Sequence, residues 1–161
     1  MDLVGYVEDE YSLKQTHGSI AVDTNRSLVF VTSLQGRDSI AAVSYNDSSN
    51  PQVIGALNFT DGTIDNDNKG LYGATYDESH KIVIVSGYMR NILAVVSAMD
   101  PKNLALLGTV SSQVYLNGVM ATCVNASRSV AYAVAYESAS LAIVSYYNVN
   151  KPVLLGGLVE S

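Results

Sequence analysis

Short apolar runs of strand length alternate with polar turns along the whole chain. In the first part of the sequence these runs are 19–22, 28–32, 40–44 and 53–57, which we name a, b, c and d. Runs such as LVFV, IVIV and VAYAV do not alternate polar with apolar residues, which indicates strands whose two faces are both covered. A helix would need longer runs with a period of 3.6 residues. The pattern therefore predicts an all-β fold.

The same arrangement of runs occurs three times. The segments SIAAVSYNDSSNPQVIGAL, ILAVVSAMDPKNLALLGTV and SLAIVSYYNVNKPVLLGGL align with one another. Two positions recur in them with the same spacings of 53 and 48 residues, a serine (Ser44, Ser97 and Ser145) and a glycine (Gly55, Gly108 and Gly156). The turn between runs a and b opens with Asp23, Asp77 or Asn125, a residue type that favours a type I turn. Four-stranded units that repeat at about 50 residues are typical of β-propeller blades, whereas a β-helix repeats at about 20 residues.

The repeats cover approximately residues 17–59, 71–110 and 119–159, within a single propeller unit made of four-stranded antiparallel blades. A leading strand is predicted at 3–7, because this run matches run d of the repeats. Closed propellers usually have about four to eight blades, so three blades cannot close a ring alone. We expect completion by self-association, most simply as a six-bladed homodimer, or by flanking sequence of a longer protein.

Two motifs near the end of the chain carry a family resemblance. The aliphatic run LAIVS at 141–145, followed by KPVLLGG at 151–157, resembles the LVIVD-repeat β-propellers, and the resemblance covers essentially the whole chain. The family has an Asp after the aliphatic run, where this chain has the recurring serine. The resemblance implies a cell-surface or secreted interaction scaffold, and it implies no particular chemistry.

Composition narrows the range of partners. Hydrophobic residues make up 48% of the chain and charged residues 15%, which excludes a disordered segment. The net charge is −6 and the nine Lys and Arg residues are scattered, so nucleic acid is not an expected partner. The charge-free stretch 103–127 is interrupted by polar residues, which predicts strand, loop, strand and no transmembrane segment.

The single cysteine, Cys123, excludes an internal disulfide, and with two histidines the chain lacks a Cys/His metal cage. Because Cys123 lies in run a among small residues, without a nearby cation, we expect it to be buried. Four Asn-x-Ser/Thr sequons, at Asn25, Asn46, Asn58 and Asn125, suit the surface loops of a secreted protein, although chance in an Asn-rich composition accounts for about half of them. They favour an extracellular or cell-surface location over the cytoplasm.

The last third of the chain is poor in charge. Between 103 and 161 only four residues are charged, namely Arg128, Glu137, Lys151 and Glu160. Obligate protein interfaces are depleted of charge, so this part is predicted to contain an interface. The alternative is that a small all-β blade has few surface positions.

The loops between runs b and c share one face of a propeller with the d-to-a loops. They carry the candidate binding residues for a protein partner or another surface ligand, namely Gln35, Arg37, Asp38, Tyr88, Arg90, Tyr136 and Glu137. Tyr and Arg are enriched in binding hot spots because they combine contact area with directed hydrogen bonds. The a-to-b turns each carry one basic residue, Arg26, His80 or Arg128, which suggests either a weak anion-binding ring or solvated turns.

The segment 65–70 is similar to the start of a calcium loop, with Asp65 and Asp67 as weak metal ligands. Lys69 and Tyr76 stand where that loop needs ligand oxygens, so a solvated acidic loop is the preferred interpretation. No catalytic motif is recognised, and we predict no cofactor. The predicted function is a non-enzymatic binding module. The alternatives are a propeller enzyme, such as a hydrolase or lactonase with a channel-bound cation, and a sugar-binding propeller, although the chain lacks the Trp that usually stacks on sugars.

Overall fold

The computed structural model describes residues 4–14, 16, 18–33, 39–59 and 70–160, with only the backbone of Met89. These residues form three four-stranded antiparallel sheets, each with its strands in sequence order. Blade 1 contains β1 (Ala21–Asp23), β2 (Leu28–Thr32), β3 (Ser39–Ser44) and β4 (Gln52–Asn58). Blade 2 contains β5 (Leu71–Asp77), β6 (Ile82–Gly87), β7 (Ile92–Ser97) and β8 (Ala105–Ser111). Blade 3 contains β9 (Val119–Asn125), β10 (Val130–Ala135), β11 (Ser140–Ser145) and β12 (Val153–Val159). Short 3-10 turns cover Tyr88–Arg90 and Ala126–Arg128.

Local turn chemistry explains why the runs form hairpins. At the end of β1, Asp23 accepts a hydrogen bond from the backbone N–H of Arg26 at 3.1 Å. Each turn between the third and fourth strands opens with an Asx side chain that accepts from the backbone N–H two residues later, at 3.0 to 3.1 Å (Asp47, Asp100 and Asn148). The predicted a-to-b Asx turns are confirmed at Asp23 and Asp77, whose carboxylates accept from backbone N–H groups of their own turns, whereas Asn125 opens a 3-10 turn and its side chain caps no backbone N–H of that turn. The predicted all-β fold is confirmed.

The charge-free stretch contains β8, a loop and β9, as predicted. Within the part of the chain that the structure describes, no helix is long and apolar enough to span a membrane. The leading run at 3–7 differs from its expected form, because its described residues from Val4 onward pair with no strand. The three described sheets already have four strands each, and the run lies instead beside the turn at Ser48 and Ser49 of blade 1.

The blades stack face to face, and each presents a back face to the following blade and a front face to the preceding one. The back face of blade 1 and the front face of blade 2 share one apolar core, which includes Leu28, Phe30, Ile40 and Ala42 against Val83, Val85, Ala94 and Val96. A second core joins the back face of blade 2 to the front face of blade 3, and it includes Ile82, Ile84, Leu93 and Val95 against Ala131, Ala133, Ala142 and Val144. Both sheet faces of blade 2 are thereby buried, as the runs without polar alternation predict.

Candidate functional site

The loops after the second strands of blades 2 and 3 meet on one face of the molecule, which we call the loop face. The Tyr88 hydroxyl donates a hydrogen bond to Glu137 Oε1 at 2.7 Å, so the two loops are joined directly. The ring centroids of Tyr72 and Tyr88 lie 5.8 Å apart. Tyr136, with 71% of its surface exposed, completes the group.

Backbone contacts position these side chains. Asn91 has a left-handed backbone with φ of 56°, and its side-chain amide donates to Gln113 at 3.0 Å. The amide oxygen of Asn91 accepts from the Gly118 N–H at 3.1 Å. The Tyr136 N–H donates to the Gly118 carbonyl at 3.0 Å. The loop before β9 is therefore fixed between the two b-to-c loops, in the arrangement that the propeller prediction requires.

The loop face offers hydrogen bonding and aromatic contact. The pKa of Tyr88 is raised, first because its hydroxyl is bound to the Glu137 carboxylate, so the phenol stays neutral near pH 7. Arg90 is half-buried next to this group, in the 3-10 turn. The other candidate binding residues, Gln35, Arg37 and Asp38, and the weak metal candidates Asp65 and Asp67 lie outside the described residues. Among the described residues, no three His, Cys, Asp or Glu side chains converge on one point.

A polar contact ties blade 1 to blade 2 at the a-to-b turn. Arg26 Nε donates to the buried Asp23 carboxylate at 2.6 Å, and its NH1 donates to the Ala98 carbonyl of blade 2 at 2.7 Å. Its NH2 reaches the Tyr76 hydroxyl at 3.0 Å. Burial raises the pKa of Asp23, but its hydrogen bonds with Tyr76 and Arg26 outweigh burial, and the pKa lies below its ordinary value.

The equivalent contact between blades 2 and 3 uses different residues. The hydroxyl of the fully buried Tyr146 donates to Asp77 Oδ2 at 2.7 Å, and the same oxygen lies 2.7 Å from His80 Nδ1. Burial raises the pKa of Asp77, but the hydrogen bonds it accepts, that of Ser79 first, bring the pKa below its ordinary value. Arg26 and His80 thus each pair with the carboxylate of their own turn, and this pairing speaks against a ring of three free basic residues that binds an anion.

Blade 3 has the same turn between its first two strands, but no further blade covers this turn among the described residues. Asn125 occupies the position of the two aspartates, and Arg128 is exposed and makes no hydrogen bond to any described residue. Cys123 is also exposed, so the expectation that it is buried is wrong. The physical reason is that Cys123 lies on the back face of its sheet, opposite Tyr132, where no described blade covers it.

The back face of blade 3 is an open apolar surface. The strand register identifies its residues, since Tyr132 pairs with Cys123 and Ile143, and Val134 pairs with Leu141. Val134 is 49% exposed, and Leu158, which pairs with Leu141 from the other side on β12, is 71% exposed. The charged residues of this third, Arg128, Glu137, Lys151 and Glu160, are all exposed. The predicted charge-poor interface thus has a geometric counterpart on blade 3.

The front face of blade 1 is covered loosely by the segment 4–14. The Ser39 hydroxyl donates to the Ser12 carbonyl at 3.1 Å, and the Ser33 hydroxyl donates to the Lys14 carbonyl. A groove of about 570 Å³ remains under this segment, and its lining includes Val7, Leu13, Val29, Val31 and Val43. The segment therefore does not fill the face.

The recurring glycine marks where each fourth strand touches the next blade. A Cβ on Gly55 would lie 2.8 Å from Lys102 Cα, and one on Gly108 would lie 2.7 Å from Pro152 Cδ, so the c-to-d turn of the next blade packs on each glycine. Gly5 in the leading segment contacts the Ser48 and Ser49 turn of blade 1 in the same way. Gly156 is the exception, because no described atom lies within 4 Å of its would-be Cβ.

Sequence reasoning predicted an interface in the last third of the chain without assigning it to a sheet face, although the spacing of the repeats contains the signal for that assignment. Alternate residues of a strand lie on opposite faces, so the register of the repeats assigns every run residue to a front or a back face. The last back face, which includes Cys123, then has no successor among the repeats.

Comparisons with known proteins agree on the fold. No protein-family model matches the chain. No curated protein matches it. A solved protein from Lactobacillus plantarum is 12% identical with a TM-score of 0.71, and the match covers 89% of this chain and 42% of that protein. A putative 6-phosphogluconolactonase from Bacteroides uniformis is 16% identical with a TM-score of 0.71, and the match covers 91% of this chain and 41% of that protein. The β-propeller domain of Cps50 (Swd1) from Myceliophteria thermophila is 12% identical with a TM-score of 0.63, and the match covers 91% of this chain and 45% of that domain.

These similarities show the fold alone. The chain is an all-β protein with three propeller blades among its described residues, and it spans less than half the length of the solved structures that it matches.

Proposed function

We propose that this chain is a three-bladed section of a β-propeller that serves as a non-enzymatic interaction module, completed by self-association or by flanking sequence. The observation that carries the proposal is the open back face of blade 3. Equivalent faces of blades 1 and 2 are buried by the next blade, whereas this one leaves Val134 and Leu158 in solvent. Burying an aliphatic side chain of this size contributes about 1.5 to 3 kcal/mol, so the face favours a covering partner.

The loop face is the second part of this proposal. Tyr88, Tyr136 and Glu137 present phenol rings and a carboxylate on a fixed backbone, and aromatic residues on ordered loops are suited to contact another protein. The resemblance to LVIVD-repeat propellers supports a scaffold of this kind and a cell-surface or secreted location. The four sequons support the same location.

The solution mass tests the proposal. Light scattering over a range of protein concentrations is expected to give values above 17.1 kDa, because the open face promotes association. Leu158→Lys places a charge on that face and is expected to lower the mass at equal concentration. Val114→Lys, in the exposed loop before β9, is the matched control and is expected to behave as the unchanged chain. A mass of 17.1 kDa at every concentration, with no effect of Leu158→Lys, would contradict self-association and assign completion to flanking sequence.

The enzymatic alternative is tested separately. The lactonase named among the similar structures has the same fold at 16% identity, which carries no activity to this chain. Hydrolysis of 6-phosphogluconolactone above the spontaneous rate, lost on chelation of divalent cations, would support that alternative. An unchanged spontaneous rate with and without added calcium is the result that the interaction module predicts.

A further inference from the structure

The two end faces of the blade stack match each other in residue type, although the front face of blade 1 lies under the segment 4–14 and only the back face of blade 3 is open. The front face of blade 1 presents Val29, Val31, Ala41 and Val43. At the equivalent register positions, the front face of blade 2 presents Val83, Val85, Ala94 and Val96, the same four residue types. That face packs on the back face of blade 1 inside the molecule. The front face of blade 1 is therefore suited to a back face of the same kind.

The back face of blade 3 is of that kind. Its aromatic residue, Tyr132, occupies the register position of Phe30, which packs at 5.4 Å from Tyr76 of the next blade. Around Tyr132 the face carries Val130, Leu141 and Ile143, where blade 1 carries Leu28, Ile40 and Ala42. The exposed back face of one chain and the front face of blade 1 in another thus reproduce the apolar composition of the contact between blades 1 and 2.

From this match we propose that the occupant of the blade 3 back face is blade 1 of a second copy of this chain, docked head to tail. This inference rests on the proposed function and specifies its mode of self-association. Two such contacts related by a twofold axis would close a ring of six blades. Gly156 then receives the Ser48 and Ser49 turn of the other copy, as Gly108 receives the turn at Pro152 within the chain.

Some of the polar contacts that join neighbouring blades within the chain can also form between the two docked copies. The exposed Arg128 stands at the position of Arg26, so it can donate to the Tyr45 carbonyl of the second copy, which corresponds to the Ala98 carbonyl. One hydrogen bond between blades 2 and 3 has no counterpart at the docked surface, because an apolar residue replaces its donor. The Ser86 hydroxyl donates to the Met120 carbonyl at 2.9 Å, whereas blade 3 has Val134 in that place. The docked surface is therefore more apolar than the internal ones.

The leading segment competes with the second copy. Gly5 already occupies the Ser48 and Ser49 turn that Gly156 would fill, and the segment 4–14 lies over the front face of blade 1. Docking requires that this segment leave. This exchange breaks the hydrogen bonds of the Ser12 and Lys14 carbonyls with Ser39 and Ser33, but it breaks no strand pairing up to Lys14, and the segment leaves the groove beneath it unfilled.

Mass and thiol reactivity measured on the same samples test the proposal, since Cys123 lies on the proposed interface and is the single cysteine of the chain. With rising concentration, the light-scattering mass is expected to approach twice 17.1 kDa, and the rate at which Cys123 reacts with a water-soluble thiol reagent is expected to fall in parallel. Gly5→Val, whose side chain would overlap the Ser48 carbonyl, is expected to loosen the segment and raise the dimer fraction.

The matched variants are Tyr132→Glu and Tyr147→Glu. Tyr132→Glu places a carboxylate on the docking face and is expected to remain at 17.1 kDa, whereas Tyr147, 88% exposed and outside that face, tolerates the same change. Association that leaves Cys123 as reactive as in the monomer, or that Tyr132→Glu does not weaken, would overturn head-to-tail docking while self-association through another surface stands. A chain that stays at 17.1 kDa at all concentrations would overturn the second copy as occupant.

Discussion

The bond between Tyr146 and Asp77 is the sharpest test of how blades 2 and 3 are held together. Tyr146→Phe removes one hydroxyl from a fully buried ring and leaves its packing unchanged. The lost hydrogen bond is charge-assisted and buried, at 2.7 Å, and such bonds contribute about 1.5 to 3 kcal/mol. Because Asp77 keeps its bonds from Ser79 and His80, we expect a loss of about 2 kcal/mol.

Urea unfolding at neutral pH measures this loss, and Tyr132→Phe is the matched control. Tyr132 lies in the same blade on its open face, and its hydroxyl bonds to no described residue, so its removal is expected to change the free energy of unfolding by less than about 0.5 kcal/mol. In thermal unfolding, about 2 kcal/mol corresponds to a fall of about 4 to 8 °C for a chain of this size. Equal effects of the two substitutions would refute the assignment of Tyr146 to the interface between the blades.

The pH dependence gives an independent check. The pKa of Asp77 is lowered in the folded protein, so its contribution to stability is present above its ordinary value of 3.8 and is lost as the pH falls through the folded pKa. Tyr146→Phe removes one of the donors that lower this pKa. The difference in unfolding free energy between the variant and the unchanged chain is therefore expected to shrink as the pH is lowered from about 7 toward about 3. A constant difference over that interval would show that Asp77 is not its source.

The other predictions concern the contacts along the stack. Arg26→Ala leaves the buried carboxylate of Asp23 without its guanidinium partner and is expected to lower the free energy of unfolding in urea by about 2 to 3 kcal/mol. The equivalent Arg128→Ala is the control, and it is expected to change the free energy of unfolding of the monomer by less than about 0.5 kcal/mol. Gly108→Val introduces a side chain 2.7 Å from Pro152 Cδ and is expected to lower the unfolding free energy by about 1 to 3 kcal/mol, and an unchanged melting temperature would contradict the close approach. The unchanged chain is expected to lose stability as the pH falls below 3.8, the ordinary pKa of the Asp23 carboxyl, toward the lowered pKa that this carboxyl has in the folded protein, and a flat acid limb in thermal unfolding would contradict that lowered pKa.

The fold could be predicted because the same pattern of strand-length runs and turn residues occurs three times along the chain. An Asx residue opens each a-to-b and c-to-d turn, and the runs between these turns are too short for helices. The runs without polar alternation, such as LVFV, predict covered sheet faces. The arrangement of the blades then required only that neighbouring sheets bury the faces that they turn toward each other.

The polar contacts between blades could not be predicted in the same way. Arg26 and His80 look like solvated turn residues, and each pairs with the aspartate of its own turn. Only the stacking of the next blade buries these carboxylates and adds the Ala98 carbonyl and the Tyr146 hydroxyl as partners. Cys123 sits among small residues in a run that resembles buried ones, and its exposure depends on whether another blade covers the back face of blade 3 rather than on its own neighbours. The pairing of Tyr88 with Glu137 joins loops 49 residues apart, a separation that no local pattern encodes.

The reactivity of two equivalent thiols tests the stacked arrangement most directly. Ala21 and Cys123 occupy the same register position on the back faces of blades 1 and 3, opposite Phe30 and Tyr132. Ala21 is only 4% exposed because blade 2 covers it. In dilute protein, Cys123 is expected to react at a rate close to that of an unfolded thiol. Ala21→Cys, in a chain with Cys123→Ser, is expected to react at least about a hundredfold more slowly, since it becomes accessible only when the blades separate. Equal rates for the two thiols would contradict the stack of described blades and its open back face.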